Sequence, residues 1–225
     1  MSESPPPVAS RLSVVEARVL AVLIEKEQTT PDNYPLSLNA TVNACNQKSN
    51  RDPVMALNEL EVEHALDSLR RRKLVVIFSG AESRVPKFKH SFDQVFPVGL
   101  AERVVLCELI LRGPQTPGEL RGHCERMHAF ADTAAVTAVL TQLMEGPGDP
   151  LVTRLERQPG QKEQRYLQLI SETPEGSNAE ALVTQPLTVT LTLPPEVEER
   201  LRSLEETCAE LRAEVARLKE LILGL

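Results

Sequence analysis

The polar side chains best suited to bind another molecule are concentrated in one short segment, residues 44–55, which reads ACNQKSNRDPVM. Amides and cations at this density could present a hydrogen-bonding surface to a protein partner or a ligand. Asn side chains also cap helix ends and tie down loops, so a structural role is an equal alternative, and one loop can do both. We expect Lys48 and Arg51 to project to solvent near one another. The candidate partner-binding residues are Asn46, Gln47, Lys48, Asn50 and Arg51.

Cations in two predicted hairpins offer a second kind of chemistry, contact with the phosphate backbone of DNA. The formal net charge of −7 argues against a strongly basic nucleic-acid binder. A reading helix would also need donors near its start, whereas the third predicted helix begins with Glu59, Glu61 and Glu63. Backbone contacts from the hairpins are therefore the form of DNA binding to expect. The candidate DNA-backbone residues are Arg84, Lys87, Lys89, Arg154, Arg157, Lys162 and Arg165.

Metal and enzymatic chemistry have less support in the sequence. His123, Cys124 and His128 form a local group of possible ligands, but a zinc site takes three or four ligands and no second cluster is present. The chain also lacks the G-x-S-x-G, P-loop, H-E-x-x-H and G-x-G-x-x-G motifs. We therefore expect a protein that is not an enzyme and that uses no metal and no cofactor.

Cysteine usage and the N-terminus indicate where such a protein would work. The 4 cysteines are widely spaced and include no C-x-x-C pair, which favours a reducing compartment over a disulfide framework. The first residues, MSESPPP, lack the basic and apolar regions of a secretory signal. No apolar run approaches the roughly 20 residues of a membrane span. These features predict a cytoplasmic protein without membrane contact.

Capping residues mark the starts of three helices in the first half of the chain. Each start combines a Ser or Asn with an apolar periodicity of helical spacing. Two β-rich runs follow, over Leu74–Phe78 and Arg84–Phe92, and predict a hairpin. Three helices and a hairpin are the order of a winged-helix domain, which we assign to residues 12–96, after a Ser/Pro-rich N-terminus of residues 1–11 predicted to be disordered. The helix starts are Ser13 (box partner Glu16), Ser37, with a helix to about Gln47, and Asn58 (box partner Glu61).

The same pattern recurs in the second half, over residues 97–170. Glu16 and Glu102 exemplify a series of matches at an offset of 86 residues, and Val62 and Val136 exemplify a series at 74. Such self-similarity indicates a duplicated unit. The first repeat is therefore longer by 12 residues, and this extra length includes the polar segment of residues 44–55. In the second copy Thr116-Pro-Gly-Glu119 predicts a capped helix start, and strands are predicted over Leu151–Leu155 and Arg165–Ile170.

Several unusual strings resemble the bacterial YceH-like family. They are Thr29-Thr-Pro-Asp-Asn-Tyr-Pro-Leu-Ser37, Ala44-Cys-Asn-Gln-Lys48, Asn50-Arg-Asp-Pro-Val-Met55 and Arg112-Gly-Pro-Gln-Thr-Pro-Gly-Glu-Leu-Arg121. The resemblance covers about residues 12–170 and departs from the family at Asp52, where many relatives carry Glu. It implies a tandem winged-helix fold and a cytoplasmic location. It implies no activity and no functional residues.

The C-terminal part predicts dimerisation. Residues 171–186 are polar and form a predicted linker, and Leu187–Leu193 alternates as a strand does. From Val197 to Leu225 apolar residues alternate at spacings of four and three, a sustained heptad with Leu at d that favours a parallel two-stranded coiled coil. The alternative is a helix that folds back onto its own domain. The candidate dimerisation residues are Leu201, Leu204, Cys208, Leu211, Val215, Leu218 and Ile222.

Together these features predict a mainly α protein with small β-hairpins, of the α+β class, built from two tandem winged-helix domains and a C-terminal coiled-coil helix over residues 187–225. The expected function is that of a non-enzymatic adaptor or regulator. It would form a homodimer and bind a protein partner that the sequence does not identify. The alternative is a transcriptional regulator whose hairpins contact the DNA backbone.

Overall fold

The computed structural model describes residues 11–78, 85–146, 148–157 and 163–172. Several sequence-based predictions lie outside these ranges. They are the disorder of residues 1–10, the linker from residue 173 onward, the strand and heptad of residues 187–225 with all candidate dimerisation residues, and the candidate cations Arg84 and Lys162.

The first half contains three principal helices whose predicted starts are confirmed. Ser13 and Asn58 each form a capping box with the residue three positions on, Glu16 and Glu61. The Ser37 side chain accepts a hydrogen bond from the backbone N–H of Ala40, which fixes the start of the second helix. The helices are α1 (Val14–Thr29), α2 (Leu38–Cys45) and α3 (Glu59–Arg71), and the strands are β1 (Leu36–Ser37), β2 (Val75–Phe78) and β3 (Lys87–His90).

These strands form an antiparallel sheet in the order β1-β3-β2, so that β2 is an edge strand of the described sheet. The register pairs Leu36 with Phe88 and Ile77 with Phe88 on its two sides. β3 ends at His90, earlier than predicted, because a short helix, α4 (Phe92–Val95), follows. The ring of Phe92 is fully buried and stacks on Phe96 with centroids 4.7 Å apart, which turns the chain toward the second half.

The second half repeats the order of three helices followed by an antiparallel strand pair, as predicted. Thr116 forms the expected capping box with Glu119, and Pro117 occupies the first helical turn. Gly113 ends the preceding helix with a φ of 73°, a conformation that glycine adopts without strain. The elements are α5 (Leu100–Arg112), α6 (Pro117–Cys124), α7 (Thr133–Glu145), β4 (Val152–Arg154) and β5 (Tyr166–Gln168). The described residues thus form an α+β fold of helices with two small antiparallel sheets.

The two halves share one hydrophobic core, centred on the packing of α1 against α5. The Cys107 thiol lies 3.2 Å from the carbonyl oxygen of Ala21, and these two residues correspond at the 86-residue offset of the repeat. The central helices therefore meet at equivalent positions. Both are apolar around most of their circumference because each is covered by its own repeat on one side and by the other repeat on the other.

The two ends of the described chain also meet. The backbone N–H of Leu12 donates to the carbonyl of Ile170, and the N–H of Glu172 donates to the carbonyl of Leu12, each at 2.9 Å. Ser171 and Glu172, predicted to open the linker, belong instead to the folded part. Within the described ranges no helix is both long and apolar enough to cross a membrane.

Candidate functional site

The segment of residues 44–55 does not present all its polar side chains to solvent. Arg51 is buried, and its guanidinium donates to both carboxylate oxygens of Glu25, at 2.6 and 3.2 Å, and to the carbonyl of Ala44 at 3.0 Å. The prediction that Arg51 projects to solvent is therefore wrong. Glu25 lies on the buried face of α1, and a carboxylate there requires a cation with several donors. Of Lys48 and Arg51, the two cations predicted to project to solvent, only Lys48 is exposed.

The neighbouring amides hold the segment in place. Asn46 donates to the carbonyl of Leu57 at 2.7 Å and accepts from the N–H of Leu57 at 2.8 Å. The Gln47 side-chain oxygen accepts from Lys26 at 3.3 Å and from Arg51 at 3.2 Å. These contacts correspond to the structural alternative for the segment, in which its amides tie down the loop.

A second buried cation, Arg18 of α1, supports the same segment and was missed by the sequence analysis. Its guanidinium donates to the carbonyl of Pro53 at 2.8 Å and to that of Cys45 at 3.4 Å. Burial, with the nearby Arg51 charge, lowers the pKa of Arg18 to about 10. Burial alone would raise the pKa of Glu25, but the hydrogen bonds and charge of Arg51 outweigh it and lower that pKa.

The segment also reaches across to the second repeat. The N–H of Asp52 donates to the carbonyl of Leu111 at 2.8 Å. Asn50, which has a φ of 62°, contacts Glu108 at 3.4 Å and accepts from the Arg112 guanidinium. The extra residues of the first repeat thus act as a clamp on α5.

Glu108, at the centre of this contact, is fully buried. Burial raises its pKa to about 7, although the Arg112 guanidinium, 3.4 Å away, acts in the opposite direction. The Oε2 atom accepts no hydrogen bond within the described residues. A carboxyl group in this setting can change its protonation near neutral pH. Nothing in the sequence distinguished Glu108 from the solvated carboxylates of other helices.

The possible metal ligands His123, Cys124 and His128 have different surroundings. The two ring nitrogens of His123 contact the Gln115 side-chain oxygen and the Arg112 guanidinium. Cys124 is buried, which raises the pKa of its thiol, and His128 packs edge-on against Phe130. The described ranges hold no group of three or more His, Cys, Asp or Glu residues arranged to bind a metal ion.

The candidate DNA-contacting cations differ in their availability. Arg154, Arg157 and Lys89 are exposed, and Lys89 lies 3.8 Å from Glu27. Lys87 is half-buried. Arg165 pairs with Glu119 at 2.8 Å and donates to the carbonyl of Pro114 at 2.6 Å, so it braces the start of α6.

The exposed starts of the two third helices, α3 and α7, carry no cationic side chain. α3 presents Glu59, Glu61 and Glu63 to solvent at its start. The start of α7 presents small neutral side chains such as Thr133, Ala134 and Thr137. Neither surface offers donors with the charge or reach for base edges or phosphates.

The most unusual surface of the described residues is strand β2. Val76, Ile77 and Phe78 are 43%, 39% and 52% exposed, whereas Val75 is buried. The sequence predicts this strand but not its exposure, since a continuous apolar run is typical of a strand buried on both faces. Three consecutive exposed apolar side chains on an edge strand form a potential contact surface for another chain.

Residues of α3 and β2 line an open groove of about 570 Å³. Its α3 wall carries Asp67, Arg70 and Arg71, and its strand wall carries Val75, Val76 and Ile77. Arg70 pairs with Asp67 at 2.8 Å. Because the two arginines outnumber the aspartate, the groove is positively charged beside an apolar strand.

Comparison with known sequences relates this chain to bacterial proteins. A family profile described as "Protein of unknown function, DUF480" matches residues 12–161. Similar chains, each named "UPF0502 protein", occur in Pelobacter propionicus (49% identity, 94% of both chains), Geotalea uraniireducens (51%, 94% of both chains) and Opitutus terrae (53%, 75% of this chain and 74% of the relative). The profile match contains the first repeat with strand β2, the clamp on α5, and the second repeat as far as residue 161, before β5.

Proposed function

The chain belongs to the bacterial DUF480 family, whose profile matches residues 12–161, and we propose that it is a non-enzymatic adaptor or regulator that binds another protein. The observation that carries this proposal is the exposed apolar strand β2 beside a charged groove. Apolar side chains exposed contiguously on a folded domain are typical of surfaces that contact other proteins. The expected cytoplasmic location belongs to the same proposal.

Each repeat is proposed to be a winged helix, in which the strand pair is the wing. In the first repeat Leu36, just before the Ser37 cap, pairs with β3. In the second repeat Gln115, just before the Thr116 cap, exchanges backbone hydrogen bonds with Tyr166 of β5 at 2.8 and 3.2 Å. The same contact at the start of the second helix supports a common fold for both repeats, since it ties helix and wing together in the same way.

The proposal is tested by placing a photo-crosslinking amino acid at Phe78 in the native cell. The matched control places it at Gln142, an exposed position on α7. We expect a discrete protein adduct, resistant to nuclease, from position 78 and not from position 142. Identical adducts from both positions, or none from position 78, would contradict the proposal.

DNA binding is the second candidate function, and the exposed cations Arg154, Arg157 and Lys89 favour it. Contacts from these side chains would be to phosphates and would weaken steeply as salt is raised. A mobility shift with random duplex DNA over a salt series separates the two functions. An adaptor should not bind the duplex at physiological salt. A regulator should bind with a steep salt dependence, and Lys87→Ala with Lys89→Ala should weaken it about equally for all sequences.

A further inference from the structure

The backbone of β2 has one edge directed away from the sheet. Leu74 accepts a hydrogen bond from the N–H of Ser91 at 2.8 Å, and in an antiparallel ladder bonded and non-bonded pairs alternate. The register then makes the pairs of Val76 with Lys89 and of Phe78 with Lys87 the bonded ones. Ile77 lies between them, so its N–H and C=O point away from β3.

We propose that an extended, acidic segment of a partner protein adds to β2 as a further antiparallel or parallel strand. This inference rests on the proposed protein-binding function and specifies how the partner binds. Strand addition supplies main-chain hydrogen bonds to the outward groups of β2, and side chains of alternating direction supply specificity.

The edge strand β2 is short, but it carries none of the side chains that protect edge strands from pairing. Natural edge strands are protected by short length, Lys, Pro, a bulge or a covering element. The strand Val75–Phe78 reads VVIF and contains no charged residue and no proline. An exposed apolar edge strand tends to pair with another chain. The position of β2 beside an open groove therefore favours an added strand that binds there.

The charges on both sides of β2 select an acidic partner. Side chains of an added strand that face the groove would lie near Arg70 and Arg71. Among the described residues, Arg70 forms an ion pair with Asp67. Side chains on the opposite face would lie beside Val76 and Phe78, whose cross-strand neighbours are Lys89 and Lys87. Opposite charges across such an interface favour association and suppress basic partners.

The test uses the full chain and a fluorescein-labelled peptide of alternating valine and aspartate, seven residues long, in an anisotropy titration. Two control peptides carry lysine in place of aspartate, or a methyl group on every backbone nitrogen. We expect sub-millimolar binding of the acidic peptide and binding at least about tenfold weaker for each control. The absence of acidic-peptide binding, or equal binding of the methylated peptide, would overturn strand addition. Equal binding of the lysine peptide would overturn the acidic selectivity.

A substitution at Ile77 tests the main-chain pairing from the protein side, because it removes the hydrogen bond in which the Ile77 N–H would donate to the added strand. Ile77→Pro removes an N–H that faces away from β3, a position where an edge strand tolerates proline, and Ile77→Thr keeps both the N–H and the branched side chain. We expect Ile77→Pro to weaken acidic-peptide binding about tenfold and Ile77→Thr to change it by less than about threefold. Equal weakening by both variants would contradict the strand geometry. If Ile77→Pro does not fold, the methylated peptide alone decides.

The outcomes separate this inference from the proposed function. A nuclease-resistant adduct at Phe78 without peptide binding would leave the function standing and remove strand addition. An adduct with a second copy of this chain, and no peptide binding, would identify a second copy as the occupant and overturn the partner assigned here.

Discussion

At the scale of single residues, the ion pair between Arg51 and Glu25 makes the strongest prediction. Removing one member of a buried pair leaves the other charge uncompensated, which costs about 3–5 kcal/mol. We expect Arg51→Met to lower the free energy of unfolding in urea by about that amount. Lys48→Ala, in the same loop but exposed, is the matched control and should change it by no more than about 0.5 kcal/mol. Similar losses for both variants would show that the pair does not stabilise the fold.

Glu108 predicts a pH dependence of stability. Its pKa is raised to about 7 in the folded protein, so the folded state binds the proton more tightly than the unfolded state does. Stability therefore falls as pH rises from the unfolded pKa, about 4.3, through 7, by about 2–3 kcal/mol from this group. Replacing the carboxyl by a neutral amide in Glu108→Gln should remove this loss.

The measurement is the difference in unfolding free energy between Glu108→Gln and the wild type at pH 5 and pH 8. A difference is needed because burial lowers the pKa values of His90 and His123, and a neutral buried histidine makes stability rise with pH over part of this range. We expect the substituted protein to gain stability relative to the wild type at pH 8. An unchanged difference at the two pH values would contradict the role of Glu108.

At the scale of elements, the start of α3 offers a clean test of capping. Asn58 accepts from the N–H of Glu61 at 3.0 Å, and Glu61 accepts from the N–H of Asn58 at 2.7 Å. Asn58→Ala should lower the free energy of unfolding by about 1 kcal/mol, measured by urea denaturation. Asn58→Asp retains the acceptor and should cost only a few tenths of a kcal/mol at most. An equal loss for both would assign the effect to something other than the cap.

Sequence patterns predicted the helix starts near the candidate site but not the exposure of its strand β2. The caps at Ser13, Ser37 and Thr116 are confirmed because capping depends on residues within four positions of each other. The exposure of β2 was missed because it depends on the strand's place at the edge of the sheet. The continuous apolar run VVIF is typical of a buried strand.

At the scale of the whole molecule, the heptad of the C-terminal part predicts a homodimer. The residues concerned lie outside those that the structure describes, so the prediction depends on the spacing in the sequence. Leu211 occupies a d position, and Leu211→Glu would place two carboxylates in the seam of a parallel dimer. We expect the wild-type chain to sediment as a dimer and this variant as a monomer. A monomeric wild-type chain, or an equally dimeric variant, would refute the coiled coil.

The sequence by itself determined the order of the principal helices and strand pairs, the duplication and the capped helix starts, because these depend on local contacts and on periodicity. Only the tertiary structure decided the burial of Arg51 and Glu108 and the exposure of β2. Arg51 is buried because α1 places Glu25 beneath the loop, and Glu108 is isolated from water because the first repeat covers α5. Burial and charge pairing at these sites arise between residues separated by 26 and 58 positions, where local patterns carry no information.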